Sequence, residues 1–331
     1  MNANAWGQRL RRLLRWESLL LLVLVAVTAG NALLSPYFLD ATTLSDASFN
    51  FTEKALIALP MALLIIAREI DVSVAAIVAL ASVAMGFGAA AGWPTPLLAL
   101  TGVATGGLAG AVNGLLVTTL RVPSIVATIG TMSLFRGIAY GILGDRVLKD
   151  YPAGFGVFGQ GYAFALVSNE LLLFVLAALA VGVLLHATTA GRRIYAIGAN
   201  PTAALMSGVA VDRYRRWLFI ATGLASGCAS VLLTSRLAST RPTIAQGWEL
   251  EVISMVILGG VSVAGGVGTI LGVVLAAAIL GFVTFGLGLQ NIPGIVLSIF
   301  VGALLIVVVA LPIVGARWRA RRAQRPTSAG A

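Results

Sequence analysis

Few side chains in this sequence are equipped for chemistry, and those few stand close together. "AREIDVSVA" (Ala67–Ala75) sets Arg68, Glu69, Asp71 and Ser73 between two long apolar runs. A charge near the centre of a bilayer costs about 2.5–3.5 kcal/mol on insertion scales, so three together would cost roughly 8–10 kcal/mol unless paired. Two readings follow. Either the segment is a cytoplasmic turn, with Arg68 and Asp71 spaced to pair and Asp71 or Ser73 capping the next helix, or it is a broken helix facing a translocation path. Thr128, Thr131 and Arg136, in "VPSIVATIGTMSLFRGIAY", are further path candidates. Arg136 reads equally as a residue snorkelling to the outer face or as a donor lining a cavity.

No catalytic set emerges. The sole histidine, His186, ends an apolar run beside a basic segment, where an interfacial role fits better than catalysis. A lone Cys228 excludes an internal disulfide or a cysteine-based metal cluster. There is no D-D-x-x-D cluster for a metal diphosphate. A phosphate-binding P-loop needs Gly-Lys-Ser/Thr, and the two lysines, Lys54 and Lys149, follow Glu53 and Leu148. No metal, no cofactor and no catalytic residue are therefore expected, and any nucleotide hydrolysis belongs to a partner chain.

The elements that carry these residues are built for lipid. Of 331 residues, 59% are apolar and 10% charged, against about 25% charged in soluble domains. Crossing a bilayer takes about 20 mostly apolar helical residues. The expected fold is an all-α polytopic membrane protein, one bundle of about ten transmembrane helices. The spans read as Ser18–Leu34, Phe51–Ala67, Val72–Ala91, Pro96–Leu120, Ser124–Leu143, Asn169–Ala187, Trp217–Ser235, Leu250–Val263, Thr269–Leu289 and Gly294–Pro312. Leu250–Val263 is short enough to be tilted or re-entrant. Ser18–Leu34 is long for a signal peptide and reads as an anchor.

The net charge of +10 gathers beside apolar runs: Arg9, Arg11, Arg12 and Arg15; Arg192, Arg193, Arg213, Arg215 and Arg216; Arg317, Arg319, Arg321, Arg322 and Arg325. This is the bias of cytoplasmic flanks, not a nucleic-acid footprint. An even number of spans puts both termini in the cytoplasm. That divides the chain into a basic N-terminus (1–17), one transmembrane domain (18–312) with a cytoplasmic loop (188–216), and a basic tail (313–331). Lys54, Arg146, Lys149, Arg236 and Arg241 fall on the opposite face. The glycines of "TGGLAGAVNG" (Thr105–Gly114) and "LGGVSVAGGVGTILG" (Leu258–Gly272) read as close helix packing, or as breaks lining a cavity. Glu53–Gly88 and Glu249–Gly286 share an order: acidic start, apolar run, break with "VSV", apolar run.

One stretch departs from lipid chemistry: "AIGANPTAALMSGVAVDRYRR" (Ala196–Arg216). Asn200 is a strong N-cap, Pro201 suits the first helical position, and Ser207-Gly208 offers a left-handed exit. The helix between them is about two turns long, roughly 10 Å, too short to persist alone in water. It needs either the membrane surface or a groove in another protein. Ala204, Leu205 and Met206 would supply the contact face. Its small, weakly basic composition is poor for a membrane surface and good for close docking.

The segment "TTAGRRIYAIGANPTAALMSGVAVDRYRRWLFIATGLASGCASVLLTSR" resembles the coupling loop and following helix of permease subunits of bacterial ABC importers. The likeness is to the ribose, arabinose, xylose and galactose permeases, related to those for branched-chain amino acids. "REIDVSVAAIVALAS", "VPSIVATIGTMSLFRGIAY" and "ELEVISMVILGGVSVAGGVGTILG" carry it along residues 18–312. "NFTEKALIALPMALLIIAREIDVSV" looks most like L-rhamnose permeases, with autoinducer-2 permeases as cousins. The resemblance implies that Gly191, Asn200, Pro201, Ala203, Ala204, Leu205, Met206, Ser207 and Gly208 dock an ABC ATPase subunit. It also implies a second permease subunit, identical or homologous, in the lipid of a bacterial inner membrane. A periplasmic sugar-binding protein would meet the outer face at Tyr151, Phe155, Tyr162 and Arg241. Arg68-Glu69 stand where the family more often has Gly-Gly. The competing readings are an ion-coupled secondary transporter, against which the lack of mid-span acid–base pairs speaks, and a membrane enzyme, which the missing catalytic set disfavours.

Overall fold

The computed structural model describes residues 16–164 and 166–293, with isolated positions 296, 299, 302 and 303. Its helices are α1 (Trp16–Leu34), α2 (Ala41–Phe49), α3 (Thr52–Ile66), α4 (Val74–Ala90), α5 (Thr95–Thr118), α6 (Ser124–Leu143) and α7 (Val157–Gln160). Then come α8 (Asn169–Ala187), α9 (Thr189–Ala199), α10 (Pro201–Met206), α11 (Val211–Leu237), α12 (Trp248–Leu258) and α13 (Ile270–Leu289). One small antiparallel hairpin, β1 (Tyr162–Phe164) and β2 (Val167–Ser168), pairs Tyr162 with Ser168 ahead of α8. The protein is a polytopic all-α membrane protein.

Among the described residues, six helices, α1, α5, α6, α8, α11 and α13, are long and apolar enough to cross a membrane, and α2 with α3 makes a seventh if the bent pair is one span. The remaining expected spans differ. α2 and α3 are bent by 52° at their junction. α4 has 17 residues and α12 has 11, about 25 Å and 17 Å of helix against a core of about 30 Å. Short helices of this kind survive at membrane depth only where protein covers their ends. α4 meets that condition, most of it being buried, as is every residue of α3 except Lys54; α12 buries Trp248, Val252, Ser254, Met255 and Val256. The expected span Gly294–Pro312 lies almost wholly outside the described residues, as do residues 1–15 and the basic tail.

Long helices wrap this buried centre. α1 buries Leu20 alone, leaving Leu21, Leu22 and Val25 for lipid. α5 and α11 approach backbone to backbone along a glycine seam. Gly102, Gly106, Gly110 and Gly114 stand four apart on one face of α5, opposite Gly223 and Gly227 of α11. A methyl group on Gly106 would run into the carbonyl oxygen of Gly223, and one on Gly110 into that of Phe219. Without a hydrophobic drive between helices in lipid, such small-residue seams supply the packing. Here the glycine-rich reading of Thr105–Gly114 as close packing holds.

Candidate coupling and translocation site

Local sequence builds α10 as its composition dictates. The Asn200 side chain accepts from the Ala203 N–H at 3.0 Å, and Pro201 takes the first turn, where no N–H is needed. The exit is a left-handed Gly208 (φ +82°). The Gly208 N–H bonds the Leu205 carbonyl at 2.9 Å and the Val209 N–H bonds that of Ala204 at 3.0 Å, the paired closure of a Schellman end. Leu205 is 56% exposed and Met206 81%, with Thr202 and Ala203 open beside them. Ala204 corrects the expected contact face. It is 5% exposed and joins the apolar core with Val211 and Leu218, because a helix resting on its own bundle must turn one residue inward. Gly191 is likewise buried, and its role is internal: any side chain there would strike the Leu185 carbonyl at the tight bend from α8 into α9.

Two helix breaks seat this element. The first is the turn between α3 and α4, where Arg68 takes a left-handed φ of +66°. Its Nε donates to the Gly198 carbonyl at 2.6 Å and its Nη2 to that of Ala199 at 2.9 Å, the last residues before α10. The expected Arg68–Asp71 pair is therefore not formed; the helix-end carbonyls take the guanidinium instead. The second break lies between α12 and α13, with Gly260, Gly265 and Gly266 at positive φ. The Gly266 N–H bonds the Ile66 carbonyl at 2.9 Å, and the Tyr195 hydroxyl donates to the Gly268 carbonyl at 2.6 Å. Gly198 sits between the two turns, its missing side chain leaving room for the Ile66 carbonyl. Both breaks thus converge on the C-terminal end of α9. The repeated order noted in Glu53–Gly88 and Glu249–Gly286 corresponds to this pair of helix–turn–helix units.

The path candidates separate into three settings. Asp71 is fully buried and accepts from the Ser73 N–H (2.9 Å), the Ser73 hydroxyl (2.6 Å) and the Asn113 amide (3.1 Å). Asn113 also donates to the Ser73 hydroxyl at 2.8 Å. Burial lifts the Asp71 carboxyl above its ordinary range, while these donors oppose the rise. Asn113 was not anticipated; a lone amide inside "GAVNG" was the available signal, since buried polar groups in spans need partners. Glu69 lies 2.9 Å from Arg215 Nε, a close ion pair without the alignment of a hydrogen bond. Burial raises its carboxyl too, against Ser124 and Arg215, which hold it down. Thr128 and Thr131 are buried and donate to carbonyls of their own helix, Ser124 and Thr128, with Thr128 also within 3.4 Å of the Ile70 carbonyl in the α3–α4 turn. Arg136 stands apart, its Nη1 donating to the Pro242 and Ile244 carbonyls at 2.7 and 2.8 Å, so it pins the loop after α11.

At the other end of α11, about 40 Å from α10 by helix rise, the Arg236 guanidinium grips Glu53 through two parallel bonds of 2.9 and 2.8 Å. Glu170 is fully buried close by, and neither of its carboxylate oxygens has a hydrogen bond among the described residues. Sequence reading did not single out this cluster, because Glu53, Glu170 and Arg236 look like ordinary helix-end charges. Of the four expected outer contacts, Tyr162 and Arg241 are exposed. Phe155 is 1% exposed, packed with Met85 and Leu98, and Tyr151 stacks on it at 4.9 Å while sharing a 2.6 Å hydrogen bond with Thr240. Burial lifts the Tyr151 phenol to about 12. Phe155 thus holds the loop in place and presents nothing to a partner.

Residues 44–309 match the family described as "Branched-chain amino acid transport system / permease component". The chain belongs to this permease family. It is similar to the proteins named "Autoinducer 2 import system permease protein LsrD" of Escherichia coli O9:H4 (strain HS), Escherichia coli (strain K12) and Shigella flexneri. Each is 33% identical over 325 residues, which cover 94% of this chain and 98% of the relative. No solved structure matches the permease. It is a multi-pass membrane permease of the ABC-importer kind, and as a transport subunit it is not by itself an enzyme.

Proposed function

We propose that this permease forms half of the translocation path of an ATP-driven importer that carries a monosaccharide, rhamnose being one candidate, across a bacterial inner membrane. In this reading ten spans in a single transmembrane unit (18–312) place both termini in the cytoplasm. An ATPase subunit docks on α10, and a periplasmic binding protein delivers cargo to the opposite end. A second permease, identical or homologous, completes the path. The observation that carries the reading is the exposed Leu205–Met206 face of a six-residue helix. A helix this short does not hold its shape unaided; α10 is tied at both ends and presents two large apolar side chains outward. An exposed apolar contact set off from the membrane helices marks a protein interface.

The similarity to permeases named for autoinducer-2 import supports a second reading for the cargo, with the same machinery. Uptake of tritiated rhamnose, ribose and autoinducer-2 by cells expressing the complete importer separates the two. For the machinery itself, Met206→Arg and Leu205→Asp are predicted to cut co-purification of the ATPase about tenfold, the cost of losing a buried anchor. Membrane insertion and yield should stay as in the parent chain, since neither side chain supports the fold. Undiminished co-purification in both variants would refute the docking assignment.

A further inference from the structure

The end of the permease opposite α10 holds a cleft of about 340 Å³, lined in part by Asn50, Lys54, Arg236, Arg241, Thr243 and Trp248. That volume falls at the small end of ligand pockets. Two of its cations are already balanced: Lys54 pairs with Glu251, and Arg236 is held by Glu53. Lys54 also lies over the Trp248 ring, 5.3 Å from its centroid. By contrast, the side chains of Asn50, Arg241 and Thr243 have no hydrogen-bond partner among the described residues, and all three are exposed at the mouth. The cleft therefore offers an amide, a hydroxyl and a guanidinium free to bond, beside an indole ring, with most of its charge cancelled. Free donors and acceptors suit a ring carrying several hydroxyl groups, with Trp248, buried and covered by Lys54, forming part of the wall. With Lys54 and Arg236 already paired, the one unpaired guanidinium, Arg241, stands at the exposed mouth, so the interior holds no free cation to take a phosphate. The lining joins α3, α11 and α12, the same short and long helices whose opposite ends meet α9 and α10.

We propose that this cleft is the receiving subsite of the permease, taking an uncharged polyhydroxylated ring of monosaccharide size as it enters the path. The assignment rests on the importer reading and adds the residues that meet the cargo. Asn50 and Thr243 bond ring hydroxyls, Arg241 guards the mouth, and the Glu53–Arg236 pair forms the floor.

The test uses the complete importer in membrane vesicles, with Cys228→Ser removing the native thiol. Leu237→Cys, in the cleft lining and 39% exposed, reports on the cleft, and Asp145→Cys, exposed outside its lining, serves as the control. Labelling by a membrane-impermeant maleimide is followed with D-ribose, D-xylose or L-rhamnose present, and with L-leucine and ribose 5-phosphate as zwitterionic and anionic comparators. At least one neutral sugar should slow labelling of Leu237→Cys about tenfold and leave Asp145→Cys unchanged, and adding Asn50→Leu should abolish that protection. No protection by any sugar, or equal protection by either comparator, overturns the assignment. Co-purification of the ATPase from the same vesicles is scored in parallel. Intact co-purification without sugar protection removes the subsite alone, whereas protection without co-purification removes the importer reading alone.

Discussion

Arg68 and Arg236 are both arginines beside buried acids, yet their work differs. Arg236 meets Glu53 in a two-point grip with Glu53 almost fully buried. Removing one partner of a buried pair strands the other charge, at a cost of about 3–5 kcal/mol. Arg236→Gln is thus expected to lower the melting temperature of the detergent-solubilised protein by several degrees, and the double variant Glu53→Gln with Arg236→Gln to recover much of the loss. A double variant no better than the single one would show that the pair contributes nothing beyond its hydrogen bonds. Arg68 instead ties the α3–α4 turn to the carbonyls of Gly198 and Ala199. Arg68→Ala should leave the ATPase bound, because the α10 face is untouched. It should lower uptake several-fold, because the turn no longer follows α10. Equal loss of ATPase binding and uptake would instead make Arg68 a support for α10 itself.

At the level of elements, what the sequence made legible was local and what it hid was tertiary. Asn200, Pro201 and Gly208 predicted α10 because capping and exit chemistry act within a few residues. The inward turn of Ala204 could not be read that way, since it depends on Val211 and Leu218 behind it. Apolar runs located the long helices within a few residues. They read α4 as a full span and α12 as short enough to be tilted or re-entrant, and the helices have 17 and 11 residues; a helix buried inside protein and one bathed in lipid carry the same apolar residues. The partners of Asp71 and Arg68 were hidden for a related reason: Asn113 and Gly198 are remote in sequence. The glycine seam of α5 and α11 was legible in kind but not in partner. It carries its own prediction: Gly223→Leu, which drives a side chain into the Gly106 carbonyl and the Gly110 backbone, should cost about 1–3 kcal/mol or more. Gly130→Leu on α6, with open space around it, should leave yield and melting temperature unchanged. Equal behaviour of the two variants would contradict the seam.

Across the whole molecule, α11 runs about 40 Å from the seat of α10 to the Glu53–Arg236 grip and the cleft beside it. Two helix breaks, after α3 and after α12, bear on the residues just before α10. A push on α10 therefore reaches the short central helices directly, and through them the far end, without passing through the lipid-facing helices. In the proposed importer, this arrangement would give an ATPase docked at one end purchase on cargo at the other. The most direct measurement is a cross-link. With Cys228→Ser and Met206→Cys, a bifunctional thiol reagent applied to the assembled importer should join the permease to its ATPase subunit. Asp145→Cys should give no such product, and the Met206→Cys thiol should react with impermeant reagents only in inside-out vesicles. A Met206→Cys thiol labelled from the outside of intact cells, with no ATPase adduct, would contradict the account at its centre.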